Sequence, residues 1–284
     1  MIGSSRKFIA LLVVLSSLTI SPAVYAGPAT SSISKALVAT REPKVENLLS
    51  PEYGKLVLDD SWHVLSSPSR WNEKDWIIAG LGTGAVVAVG AWADKPIEKE
   101  FQKHRTKGND DFSKAIQPFG AEYSFGVLGA FEVGGLVFHD DNSRAVAQDG
   151  LVSSIIAAGI ITPSLKYVIG RKRPSQDSSP HKFSPFSSSD SFPSGHVTQA
   201  FAVASVVAEH YDSPLVKIGS YGVASMVGYA RMERKAHWAS DVLAAALIGT
   251  FVGREIVHFN HDKRYEISMI ADGDTIGAQV THTF

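Results

Sequence analysis

The stretch NEKDWIIAGLGTGAVVAVGAW, Asn72 to Trp92, opens the part of the chain whose fold can be read. Asn72 is a side chain suited to cap a helix, Asp75 stands three positions on, and an uncharged apolar run from Trp76 to Trp92 follows, which together predict a helix starting at the cap. Gly80, Gly82, Gly84 and Gly90 weaken that helix in isolation but let neighbouring backbones approach closely. Further apolar stretches lie at Tyr123 to Phe138, Leu151 to Val168, Val197 to Ala208, Ile218 to Tyr229 and Val242 to Val252. Each is long enough for three or more helical turns, and none alternates as a strand would. The fold class that follows is all-α, a bundle of about six core helices.

Most of these stretches are shorter than the roughly 20 residues a membrane span needs, and Glu132 interrupts the second. Mean hydropathy is +0.03 with 19% charged residues, which points to a soluble or membrane-peripheral protein, with an integral membrane protein as the alternative.

Residues 1–26 read as a secretory signal peptide: Arg6 and Lys7, an apolar run from Phe8 to Ile20, and a small-residue exit at Val24-Tyr25-Ala26. The expected location is the periplasm of a Gram-negative bacterium. Residues 27–71 have no sustained period and read as a loosely packed arm with short helical pieces, residues 72–260 as the helical domain that carries the chemistry. From residue 261 to 284 the pattern changes. Tyr265, Ile267 and Met269 alternate with polar neighbours before Asp272-Gly273, and Ile276, Ala278 and Val280 alternate after it, which predicts a small β-hairpin. With 27 Lys and Arg against 28 Asp and Glu, there is no basic excess to suggest a nucleic-acid partner. Cysteine is absent, so an exported chain of this kind has to be stable without disulfides.

Three clusters carry the candidate chemistry: Lys166 with Arg173-Pro174, Pro193-Ser194-Gly195-His196, and Arg231 with His237 and Asp241. Lys166 and Arg173 are seven apart, two helical turns, so both are expected on one face near a helix end that Pro174 forces to stop. Ser194 is a natural N-cap for a helix beginning at Val197, and Gly195 removes a side chain that would block a ligand. A helix N-terminus built this way suits an anion. His237 and Asp241 are four apart, so on a helix the carboxylate could accept the Nδ1 proton and leave Nε2 as a nucleophile. Arg231 adds a forked donor suited to a tetrahedral oxyanion.

Two histidines and an aspartate also suggest a metal. Against that, Lys166, Arg173 and Arg231 would repel a cation, and no third neutral ligand accompanies His237 at metal spacing. The charge pattern favours a phosphate dianion and no metal. The remaining eight histidines, including His139 beside Asp140-Asp141, lack a comparable framework.

Lys, six residues, Arg-Pro; then Pro-Ser-Gly-His; then Arg, five residues, His, three residues, Asp: in these ten positions, spread over about a quarter of the chain, the sequence resembles the type 2 phosphatidic acid phosphatase (PAP2) superfamily. That superfamily includes bacterial acid phosphatases, membrane lipid phosphatases and vanadium haloperoxidases. One departure is visible: Ala230 stands where the family usually has Ser before the Arg. The resemblance implies an all-helical fold and a phosphatase that needs no cofactor. Its phosphate site would be Lys166, Arg173, Ser194, Gly195 and Arg231, its nucleophile His237, its orienting acid Asp241 and its proton donor His196. Vanadate is then expected to inhibit as a phosphate mimic. The expected partner is a phosphorylated small molecule or lipid, with membrane-surface association and an oligomeric state the sequence leaves open. The rival readings are a vanadium-dependent haloperoxidase, with vanadate as cofactor, and a non-catalytic phosphate-binding envelope protein. Between Pro174 and Pro193, a Ser-rich stretch is long for a connection inside a bundle and reads as a rim or lid, or equally as a passive linker.

Overall fold

The computed structural model describes residues 45–264 and, beyond them, the backbone of residues 267–272 and 275–280. The signal peptide read at residues 1–26 lies outside the described residues. The described fold is helical throughout its packed part.

Helix α1 spans Pro51–Ser66, with Ser50 Oγ accepting from the Tyr53 amide and proline in the first turn. This segment was expected to be a loosely packed arm, yet its Tyr53, Leu56 and Val64 join Val152, Ile156, Ala202, Val252 and Ile256 in one buried core. Its short apolar set, spread over several turns, is too sparse to register as a period.

Helix α2, Glu73–Ala88, starts where the sequence predicts. Asn72 Oδ1 accepts from the amides of Lys74 and Asp75, and Asp75 Oδ2 accepts from the Asn72 amide at 3.0 Å, closing a capping box. A widened turn at Val89–Ala93 leads into α3, Asp94–Lys103. Helix α4, Lys107–Ile116, and a short turn at Gln117–Gly120 bring the chain to α5, Glu122–Phe138. Helix α6, Asp141–Ser154, passes through another widened turn at Ile155–Ile161 into α7, Thr162–Ile169. Helix α8 spans Gly195–His210, α9 Pro214–Glu233 and α10 Ala239–Arg264.

Helix α8 is the centre of the bundle, buried almost without interruption from Val197 to Ala208. Helix α10 packs on it through glycines. A Cβ at Gly249 would sit 2.5 Å from the Thr198 carbonyl oxygen, and one at Gly253 would sit 2.6 Å from that of Ala202, so any side chain there would drive the two helices apart.

The widened turns explain why the expected stretches were too short. They fuse neighbouring segments into continuous helices at Glu73–Lys103 (31 residues) and Asp141–Ile169 (29 residues), and Ala239–His261 adds 23 more. All three are long and apolar enough to cross a membrane. The length argument for a soluble protein therefore fails. Helix α2 also turns Trp76, Ile78, Leu81 and Val87 outward, and the widened turn after it does the same with Trp92, which is 78% exposed. An apolar surface of that extent, uncovered by the described residues, together with three helices long enough to cross a bilayer, makes the chain membrane-associated.

Candidate active site

Lys166, the 171–194 connection, the start of α8, the end of α9 and the start of α10 meet at one end of the bundle. What stops α7 is Gly170, in the left-handed region at φ 58°. Its amide donates to the Lys166 carbonyl at 2.8 Å, and its own carbonyl accepts from the Ser184 amide at 2.7 Å. A Cβ there would collide with the Ser184 carbonyl. Lys166 and Arg173 therefore do not share a helix face as expected, since Arg173 lies past the helix end. They converge on Asp190 instead. Arg173 grips its carboxylate with a two-pronged fork at 2.8 and 2.5 Å, and Lys166 Nζ donates to its backbone carbonyl. Burial would raise the Asp190 pKa, but the bond from Arg173 and the charges of Arg173 and Lys166 hold it below the usual carboxylate value.

Ser194 occupies the cap position of α8, but its side chain makes no capping bond. Its Oγ is buried and has no partner among the described residues, and the same holds for Arg231 Nε. Arg231 otherwise donates to Gln117 Oε1 at 2.9 Å. A Cβ at Gly195 would meet only the Thr162 methyl, at an ordinary 3.7 Å. The close approach is at Gly120, where a Cβ would come within 2.4 Å of the His196 carbonyl oxygen. The turn before α5 thus packs directly on the start of α8.

His237 precedes α10 and is not within it. Its Nδ1 is 2.7 Å from the Ser191 carbonyl oxygen and 3.8 Å from Asp241 Oδ2, so Asp241 is an electrostatic neighbour and the carbonyl is the hydrogen-bond partner. A carbonyl can only accept, so Nδ1 carries the proton and Nε2 presents its lone pair. Asp241 acts one step back. Its Oδ2 accepts from Ser191 Oγ at 2.5 Å and from the Trp238 amide at 2.9 Å, and its Oδ1 accepts from Arg171 at 2.6 Å. Arg171 also donates to Asp94 Oδ2 at 2.6 Å, to Ser240 Oγ at 2.7 Å and to the Pro180 carbonyl. Asp94 accepts from the Ser240 amide and hydroxyl. This buried lattice fixes the 171–194 connection, α3 and α10 to one another.

Among the described residues, the His196 side chain makes no hydrogen bond, yet it sits in the fields of Arg231, His237, Arg173 and Lys166. Burial and then these charges push its pKa down to about 4. His237 is likewise pushed down to about 4, chiefly by burial, with Asp241 opposing the shift. Both imidazoles are neutral at neutral pH, in a pocket whose positive side chains outnumber the negative ones facing it. Among the described residues, no group of three or more His, Asp or Glu gathers as metal ligands do.

Sequence reading missed Arg171, Asp94, Asp190, Ser191, Gln117 and Gly120. Asp94 had a signal, being a lone carboxylate at the end of an apolar run. The others act through the backbone or through partners 17 to 114 positions away, which no spacing rule reaches.

Residues 150–265 match the profile of the PAP2 superfamily. The chain is 39% identical over 90 residues to a lipid A 1-phosphatase of Porphyromonas gingivalis, covering 31% of this chain and 18% of that protein. It is 33% identical over 104 residues to a lipid A 1-phosphatase of Rhizobium etli, covering 35% and 44%. It thus spans less than half the length of these curated relatives. Among solved structures, it is similar to Aquifex aeolicus LpxE, with a TM-score of 0.46, 23% identity, and 57% and 93% of the two chains covered. It is also similar to a transmembrane PAP2 type phosphatidylglycerolphosphate phosphatase from Bacillus subtilis, with a TM-score of 0.48, 19% identity, and 75% and 98% covered.

Proposed function

With residues 150–265 belonging to the PAP2 superfamily, we propose that the chain is a metal-independent phosphoric ester hydrolase that removes phosphate from a membrane lipid through a phosphohistidine intermediate. The observation that carries this reading is the tie between His237 Nδ1 and the Ser191 carbonyl, which turns an unprotonated Nε2 into a pocket of three cations. In the first step Nε2 attacks phosphorus in line, the bond from phosphorus to the ester oxygen breaks, and His196 gives the leaving oxygen its proton. Water then attacks phosphorus, His196 takes the water's proton, and the bond from phosphorus to Nε2 breaks. Lys166, Arg173 and Arg231 neutralise the equatorial oxygens, while Ser194 Oγ and the Gly195 amide donate to them. Asp241 positions the imidazole through Ser191 and offsets the positive charge of the phosphohistidine. The lipid assignment draws on the lipid A 1-phosphatase relatives and on the apolar helices that keep the site near lipid.

Three spans are assigned to Glu73–Lys103, Asp141–Ile169 and Ala239–His261. Trp76 and Trp92 are sixteen residues apart, about 24 Å along a helix, which suits aromatic anchors at the two faces of a bilayer core. The catalytic unit is taken as residues 72–260 with α1 as an added support. The C-terminal hairpin, read from the sequence over 261–284, is supported over 267–272 and 275–280 by antiparallel backbone pairing from Ile267 opposite Val280 to Asp272 opposite Thr275, while residues 261–264 belong to α10.

A panel of lipid phosphates and soluble phosphate monoesters, assayed with purified protein in detergent and in the presence of a chelator, tests the reading. Hydrolysis of lipid phosphates untouched by chelator is expected. Activity lost with chelator and restored by a divalent ion would overturn the metal-free scheme.

A further inference from the structure

A groove of about 350 Å³ runs between α5, α8 and α9, lined almost wholly by apolar groups, among them Phe119, Ala200, Ala204, Val207, Gly219 and Val223. That volume is within the range of small-molecule sites. Its floor on α8 is Ala200, Ala204 and Val207, which lie four, eight and eleven residues after His196. These are the spacings of a single helix face, so the groove floor continues the face that bears His196. Phe119, which also lines it, is next to Gly120, the glycine packed against the His196 backbone. The groove therefore lies along the α8 face that bears His196, its lining beginning one helical turn beyond that residue at Ala200 and running about 10 Å down the helix to Val207.

We infer that this groove holds a hydrocarbon chain of the alcohol that leaves the phosphate ester. The inference rests on the role given above to His196: the departing oxygen must come to that imidazole, so whatever the oxygen carries lies on the same side. Small side chains on α8 and a glycine on α9 leave room for a flexible chain, and the scarcity of polar lining leaves nothing for a sugar or nucleoside to bond.

Gly219 gives a clean test, because a Cβ there meets nothing within 4 Å, as is also true of Gly222 on the same helix outside the groove. Turnover of dodecyl phosphate and butyl phosphate is compared in the same detergent micelles. In the parent chain kcat/KM is expected to favour the dodecyl ester. Gly219→Leu, and Val216→Phe as a second filling variant, lower that preference about tenfold while butyl phosphate turnover stays, since chain length is read in an apolar pocket. Gly222→Leu leaves the preference intact. A parent enzyme that hydrolyses both esters equally, or a preference that survives both filling variants, overturns the groove assignment and leaves the phosphatase reading standing. Failure to hydrolyse either ester removes both.

Discussion

Two buried polar networks stand at the two ends of the bundle, and they differ in what they leave unpaired. At one end, Arg171 ties Asp94 and Asp241 together beneath His237. At the other, His210 bonds Asp149 and Asn142, while Asn260 donates to Asp60 and Asp149. Both networks bury carboxylates and join helices distant in sequence. Among the described residues, Ser194 Oγ and Arg231 Nε are left unpaired near the first network, whereas within the second Asn260 Oδ1, an acceptor, is left unpaired. Polar burial alone marks structure. A surplus of donors beside an imidazole with a free lone pair marks a place for an anion.

The largest effect that would test this contrast is on chemistry. His237→Ala is expected to lower kcat by about four orders of magnitude or more, as loss of a nucleophile does, while Asp149→Asn at the far end leaves kcat within about twofold. Comparable losses in both would erase the distinction. Next comes Arg171→Met, which strands two buried carboxylates at a cost of about 3–5 kcal/mol. Thermal unfolding in detergent should fall well below that of the parent, and Arg171→Met with Asp94→Asn should recover part of the loss. Equal stability of Arg171→Met and parent would remove the lattice from the account.

The acid and base behaviour follows from the imidazoles. Because His237 and His196 are both held near 4, His237 is free to attack above that pH, but His196 is then a neutral imidazole without the second proton that a leaving group needs. The proton must come with a monoanionic substrate, and phosphate esters lose it near pH ~6. A plot of kcat/KM against pH should therefore be bell-shaped, rising through about 4 and falling above ~6. A rate still climbing above pH 9 contradicts this. Stability follows the same sign. The unfolded chain takes up these two protons below its ordinary histidine value of 6.5, whereas the folded one does not until about 4, so stability should drop as pH falls through that window.

The smallest effect concerns Asp190, whose carboxylate competes with phosphate for the Arg173 fork. Asp190→Asn is expected to tighten inhibition by inorganic phosphate a few-fold with little change in kcat. Weaker inhibition would mean that Asp190 orients Arg173 and does not compete for it.

The helices and the motifs of the candidate site were legible because each depends on local pattern. The Asn72 cap, the apolar runs, the Gly195-His196 junction and the spacing of Arg231, His237 and Asp241 all sit within a few turns of chain. What escaped depends on fusion and on long-range pairing. The widened turns at Val89 and Ile155 carry no residue signature, so three long helices looked like shorter ones. The Nδ1 partner of His237 is a backbone carbonyl 46 positions away, and carbonyls are the same at every residue. Asp241 was expected in that role, and only the position of Ser191 shows why it stands one step removed.

The central claim is that His237 Nε2 takes the phosphoryl group. Rapid acid-free quenching during turnover of a 32P-labelled lipid phosphate, followed by peptide mapping, tests it most directly. The account predicts a single acid-labile, base-stable phosphoryl adduct on the peptide containing His237, absent from His237→Ala. Label on His196, or steady turnover with no labelled protein under conditions that slow the second step, would contradict it.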